Sequence, residues 1–192
     1  MAISFIGQAS AASNSVTLPA HQAGDLILIW AYQGTSNTIS IALPAGYIAA
    51  AAQNGVGTNS QASRLAYKIA TSNAELSGEW TGAEEVIAHV YRGVDQTTPL
   101  GASSTMSGIA DVTFLSVALQ VTDGSSWVGG FVGWRTSNAN LANATFPGFT
   151  QRGNISNGTA SRSVTFDTNG GVTSFAGASS SGATGFLSLI HI

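Results

Sequence analysis

Short apolar runs separated by clusters of Gly, Asn, Ser and Pro fill this chain, and no stretch of helical length carries an apolar period of three to four residues. That pattern predicts an all-β protein. Strands are expected at 3–7, 15–18, 25–32, 64–70, 85–92, 113–120, 127–134, 162–167, 172–175 and 185–192. Residues 25–32 read DLILIWAY, apolar at odd and even positions alike, so this strand should be covered on both faces. Residues 64–70 alternate instead: Leu65, Tyr67 and Ile69 share one face, while Arg64, Ala66 and Lys68 share the other, expected to be wet or at an interface. Gly129, Gly130 and Gly133 inside the 127–134 strand predict a bulge or the close approach of another group. Asn169-Gly170-Gly171 reads as a tight hairpin, and residues 54–60 and 153–159 as exposed loops. The apolar final strand should be tucked into a sheet.

The second half of the chain repeats the first at an offset near 100 residues. Ser15-Val16-Thr17-Leu18 returns as Ser116-Val117-Ala118-Leu119, and Thr35-Ser36-Asn37 as Thr136-Ser137-Asn138. Leu43-Pro44-Ala45-Gly46-Tyr47 returns as Phe146-Pro147-Gly148-Phe149, Ser63-Arg64 as Ser161-Arg162, and Trp80-Thr81-Gly82 as Phe175-Ala176-Gly177. The connection over 93–110 carries no charge run or low-complexity linker. The expected architecture is therefore a single antiparallel β-sandwich over 1–192, jelly-roll-like, with pseudo-repeated halves of about 1–100 and 101–192.

Charge changes the picture. Charged residues make up only 8 % of the 192, with 9 acids against 6 Lys and Arg, where about 25 % is usual. So little repulsion between neighbouring surfaces fits a protein that packs against copies of itself or a large partner. There is no basic run to grip nucleic acid. Cysteine is absent, which removes disulfides and thiolate chemistry. No Sec-type signal is visible, and the apolar runs are too short to span a bilayer, so a soluble protein without a membrane partner is expected. The sequons at Asn143, Asn154 and Asn157 read as accidental.

Candidate chemistry is sparse. Asp25, Glu79, Glu84, Glu85 and Asp111 form no recognisable pair of the kind glycoside hydrolysis needs. His21, His89 and His191 are isolated: His89 reads as a satisfied core or interface histidine and His21 as a solvated turn residue. There is no GxSxG elbow, Asp-rich calcium loop or phosphate-cradling loop. Trp30 and Trp80 read as core, and Trp127 and Trp134 should point to opposite faces of one strand. No catalytic residue, metal ligand or cofactor is expected, and the protein is not expected to be an enzyme. The candidate ligand or interface residues are Tyr47, Trp134, Arg64 and Lys68.

Several stretches resemble known strand and turn motifs. Ala23-Gly24-Asp25-Leu26-Ile27-Leu28-Ile29-Trp30 is similar to a "GDLLLVF" strand, Leu43-Pro44-Ala45-Gly46-Tyr47 to a "PSGW" turn with Tyr in place of Trp, and Arg64-Leu65-Ala66-Tyr67-Lys68-Ile69-Ala70 to a "YKVA" strand. Glu79-Trp80-Thr81, then Ala88-His89-Val90-Tyr91-Arg92-Gly93-Val94-Asp95 and Thr98-Pro99, resemble "YTWT … AYRGVD … TP". These motifs, over about residues 15–100, are those of β-sandwich structural proteins of tailed-phage virions. The resemblance implies a phage virion protein, made in the host bacterial cytoplasm and carried in the particle. The favoured expectation is a capsid decoration (cement) protein, a homo-oligomer (a trimer by preference) bound to the major capsid protein or other virion proteins. The alternative is a tail or fibre component whose sandwich binds a carbohydrate or receptor. The motifs mark strands and turns and carry over no functional residue.

Overall fold

The computed structural model describes residues 2–34, 40–54, 61–107, 112–114, 116–135, 145–158, 161–180 and 186–192. The described chain is all-β and forms two five-stranded antiparallel sheets. The first has the order β1 (Ser4–Ala11), β5 (Glu85–Arg92), β2 (Leu26–Gln33), β4 (Ala62–Ile69), β3 (Ile48–Asn54). The second has the order β6 (Ser103–Ser107), β12 (Phe186–His191), β8 (Val128–Trp134), β10 (Ser161–Asp167), β9 (Thr150–Asn157). A short ribbon pairs β7 (Val112–Phe114) with β11 (Ala178–Ser180). The expected β-sandwich is present, and each half of the chain builds one of its sheets.

The two sheets share one plan. In both, the first strand of the half lies at one edge, the last lies beside it, and the two middle strands form a hairpin at the far edge. Register fixes the equivalences. Ile29 pairs with Ala66 and Ala88 as Gly130 pairs with Phe166 and Leu189, offsets of 100 to 101 residues. The edge strands β3 and β9 each carry a bulge, at Ala50 and Arg152 respectively. Each also begins after the same turn: Tyr47 N–H donates to Pro44 O, and Phe149 N–H to Phe146 O. The third turn residue, Gly46 or Gly148, has φ near +80°, a conformation only glycine adopts without strain. The register also corrects one sequence equivalence: Ser63 pairs with Tyr32 as Ser163 pairs with Gly133, so Ser163 and not Ser161 is the counterpart of Ser63.

Three apolar layers result. Between the sheets lie Leu26, Leu28, Trp30, Tyr32, Leu65, Ile87, Tyr91, Trp127 and Phe131. The odd-numbered side of β2, with Ile27, Ile29 and Ala31, faces outward and is covered by Val16, Leu18, Ile41, Tyr47 and Trp80. The outer face of the second sheet, with Val128, Val132, Val164 and Phe166, is covered in the same way by Val117, Leu119, Phe146, Phe149 and Phe175. The residues that recur in the sequence repeat are therefore largely those of two lids. Ser15–Leu18 and Ser116–Leu119, expected as strands, are irregular lid segments, and 172–175 contributes only a single bridge from Val172 to Ser126. Asn169-Gly170-Gly171 does turn, with Asn169 at φ 48°, but leads to that bridge rather than back along β10. The lid also covers the Arg64, Ala66 and Lys68 face of β4, which is not wet: Ala66 is fully buried and Arg64 and Lys68 are half-buried.

Four strands escaped the sequence pattern: β3, β6, β9 and β11. β6 lies in the stretch read as a connection, and β9 runs through most of the stretch read as a loop at 153–159. The repeated Thr-Ser-Asn triplets lie outside the described residues, as do Asp111 and Asn143. The final strand lies inside its sheet, between β6 and β8.

Gly133 of β8 meets a specific neighbour. A Cβ built on Gly133 would stand 2.2 Å from the Tyr32 ring. The overlap includes Tyr32 Cγ, the ring atom nearest the backbone, so a rotation of the ring does not relieve it. Gly133→Ala should therefore destabilise the protein by about 3 kcal/mol, read as a fall in the urea midpoint.

Candidate functional site

A cluster of buried polar and ionisable groups lies between the sheets, where β10 faces β5. β10 alternates Ser161, Ser163, Thr165 and Asp167 with Arg162, Val164 and Phe166. In a strand with one wet face the polar set would point to solvent. Here the second sheet's lid takes Val164 and Phe166, and the polar set turns inward with no residue more than marginally exposed. The facing positions of β5 are Glu85, Ile87, His89 and Tyr91.

Most of the polar atoms on this seam find partners, while Glu85 Oε2 is buried without one. Trp30 Nε1–H donates to Ser163 Oγ at 3.2 Å. Glu85 Oε1 accepts from Ser161 Oγ at 2.7 Å and from Asn157 N–H at 2.9 Å. Burial nonetheless pushes the Glu85 carboxyl above its ordinary pKa, against the opposing pull of the serine and backbone donors. Tyr91 O–H donates to Asp167 Oδ2 at 3.0 Å, which leaves the Tyr91 oxygen to accept from His89 Nδ1–H at 3.1 Å. Thr165 Oγ1, 2.7 Å from His89 Nε2, then donates to that nitrogen. Asp167 also accepts from Arg152 Nε at 2.8 Å and from Asn169 N–H at 2.8 Å.

Arg152 is the bulged residue of β9, and the bulge is what turns its side chain inward. Its guanidinium stands 4.1 Å from the centroid of the Phe5 ring. That ring meets His89 and Tyr91 edge-on. Burial, with Arg152 adding a smaller push, lowers the His89 pKa to about 3 and holds the ring neutral. His89 is a satisfied histidine sealed in the interior. The seam clamps two sheets and offers no reacting atom to solvent.

The four candidate residues do not converge. Tyr47 is buried in the lid, edge-on to Trp80 at 5.3 Å, with its hydroxyl donating to Leu76 O at 3.1 Å. Its ring is a packing surface, and burial raises its hydroxyl pKa. Lys68 stands 4.8 Å from the centre of that ring and bonds Glu75 at 2.7 Å. Lys68 and Thr71 together draw the Glu75 carboxyl down to about 2. Arg64 is half-buried on β4, with its Nε buried and lacking a hydrogen-bond partner. Trp134 packs, half-buried, against the outer layer of the second sheet, while Trp127 enters the inter-sheet core, as the odd spacing requires. His21 is not solvated as expected: Nδ1 bonds Pro19 O at 2.7 Å and Nε2 accepts from Glu75 N–H at 3.1 Å.

Among the described residues, no group of three or more His, Asp or Glu side chains is placed to hold a metal ion. No helix there is long and apolar enough to cross a membrane. No protein-family model, curated protein or solved structure matches the chain.

The seam makes stability depend on acidity. The unfolded chain protonates His89 near its ordinary value of 6.5, whereas the folded chain resists until about 3. Between those values the unfolded state holds the extra proton. The contribution of neutral His89 is thus complete above pH 6.5 and is lost as pH falls, at up to about 1.4 kcal/mol per pH unit. Glu85, with its raised pKa, acts in the opposite direction, so a difference measurement isolates the histidine. His89→Gln keeps a donor and an acceptor but does not titrate. Its unfolding free energy should fall less steeply than the wild type's between pH 6.5 and 4, in urea titrations at a series of pH values. Asp167→Ala, which strips the Tyr91 hydroxyl and Arg152 Nε of their acceptor while Asn169 Oδ1 still holds the other end of the guanidinium, should cost about 3 kcal/mol at neutral pH.

Proposed function

We propose that this chain is a structural protein of a phage virion, a capsid decoration protein that reinforces the shell as a homo-oligomer, with a trimer favoured. The observation that carries this reading is where the few charges go. Asp25 is held by Arg92, Asp167 by Arg152, Glu75 by Lys68, and Glu85 by Ser161. Asp95 and Asp123 cap their own loops. With 15 charged residues in 192, and most of the described ones engaged in ion pairs or in hydrogen bonds within the chain, the surface presents few unpaired charges. Such a surface permits close packing against neighbours without large desolvation or repulsion. The lids and the strand-end loops supply the contact area. Three edge strands carry bulges, which makes sheet edges the weaker option.

Copies per particle, counted by quantitative mass spectrometry of purified virions, test the reading. Hundreds of copies, in fixed ratio to the major capsid protein, are expected. A few dozen or fewer would move the chain to the tail or a fibre and favour the carbohydrate-binding alternative, and absence from particles would remove the virion reading altogether. A monomeric mass by sedimentation at micromolar concentration would remove the trimer.

A further inference from the structure

A cleft of about 550 Å³ opens at the end of the sandwich where β2 and β8 begin and where β5 and β12 end. Both halves build it, and at equivalent positions: Gly24 and Asp25 line it from the first half, and Ser125 and Ser126 from the second. The halves differ there. Asp25 is locked to Arg92 by two bonds of 2.8 Å and accepts from Gln22 N–H at 2.9 Å. Serine stands at the equivalent position in the second half, so the two-point ion pair on one wall has no copy on the other.

The chemistry of the lining selects among ligands. Gln22, Gln96 and Gln120 bring carboxamides, each with donor and acceptor capacity. The Gln96 amide lies over Gly24, whose φ of +88° and lack of Cβ make that approach possible: a Cβ there would stand 2.9 Å from Gln96 Nε2. Asp95 is fixed by backbone donors from Thr97 and Thr98 to a single oxygen. Arg92 and Asp25 neutralise one another, so Asp95 leaves the lining with one net negative charge, which disfavours anions. A lone carboxylate without clustered partners does not make a divalent-cation site. Exposed Val121 and half-buried Ile3 add apolar contact area. Vicinal hydroxyls, which both donate and accept, on a ring with an apolar C–H face match these groups, and the volume falls in the range of small-ligand sites.

We propose that this cleft binds a neutral saccharide, held by hydrogen bonds to the Gln22, Gln96 and Asp95 side chains and not by aromatic stacking. The inference is independent of where the protein resides in a particle, and its test uses the purified chain alone.

The test is a ¹⁵N-resolved NMR titration with a panel of methyl glycosides (glucoside, galactoside, mannoside, rhamnoside and N-acetylglucosaminide). At least one should give saturable shifts confined to 22–25, 92–101 and 120–126 and to the glutamine side-chain amides. Gln96→Ala and Asp95→Asn should each weaken that binding about tenfold, the loss of roughly one good hydrogen bond, with the thermal midpoint unchanged. Gln53→Ala, at the opposite end of the sandwich, should leave affinity unaltered. No saturable shift with any glycoside would overturn the proposal. So would equal binding by the two cleft variants and the wild type, or a response to short peptides but to no sugar.

Discussion

The relation between the sheets rests on a constraint within β10. Its two faces compete for the interior, and Val164 and Phe166 win the lid side because they complete the outer layer with Phe146. Ser161, Ser163, Thr165 and Asp167 must then be buried between the sheets, where an unpartnered polar group costs about 1–3 kcal/mol. β5 answers Ser161, Thr165 and Asp167 with Glu85, His89 and Tyr91, Trp30 of β2 answers Ser163, and the bulged Arg152 reaches in to complete Asp167. A network of this kind adds less net stability than an apolar seam of equal area, but it tolerates one alignment only. Sliding β5 past β10 by two residues would break the His89, Tyr91 and Glu85 contacts together. The equivalent strand of the first sheet, β4, carries Leu65 and Tyr67 where β10 carries Thr165 and Asp167. One flank of the sandwich is thus specified by hydrogen bonds and the other by packing.

The halves also touch through equivalent residues. Trp30 stacks on Phe131, with centroids 6.0 Å apart, and Tyr32 lies over Gly133; in each pair one residue is the other's counterpart at an offset of 101. Contacts between counterparts are what an isologous two-fold interface produces. Within a single chain the members of a pair are free to differ. Tyrosine against tyrosine would not fit at the second pair, and Tyr against Gly does.

How much of this was legible follows from where each signal is strong. β2 showed itself because both of its faces are buried, and the repeat showed itself because the lids, which close the same plan twice, reuse Val, Leu, Pro-Gly turns and an aromatic. The lids were mistaken for strands since Val16 and Leu18 alternate as a strand would, and only tertiary packing separates the two. The missed strands are weakly patterned: β3 is an alanine run, β6 reads SSTMS, β9 is rich in Asn and Gly, and β11 is the three residues ASS. The first three are outer strands of the five-stranded sheets. Tyr47 looked available because the motif places it in a turn, yet the turn folds its ring under Lys68 and against Trp80. The polar seam left a trace, the alternation of Ser, Ser, Thr and Asp with Val and Phe, but alternation alone does not say which face turns inward.

The bulges at Ile6, Ala50 and Arg152 sit on three of the four outer strands of the two five-stranded sheets. Each breaks the straight row of amides and carbonyls that another strand would need as a template. Many proteins blunt their edges with lysine, a protection that weakens as salt rises and depends on the charge state. This chain has one lysine in all. Its guard against runaway sheet extension is carried by backbone shape, so it persists at any ionic strength and at any acidity the fold itself survives.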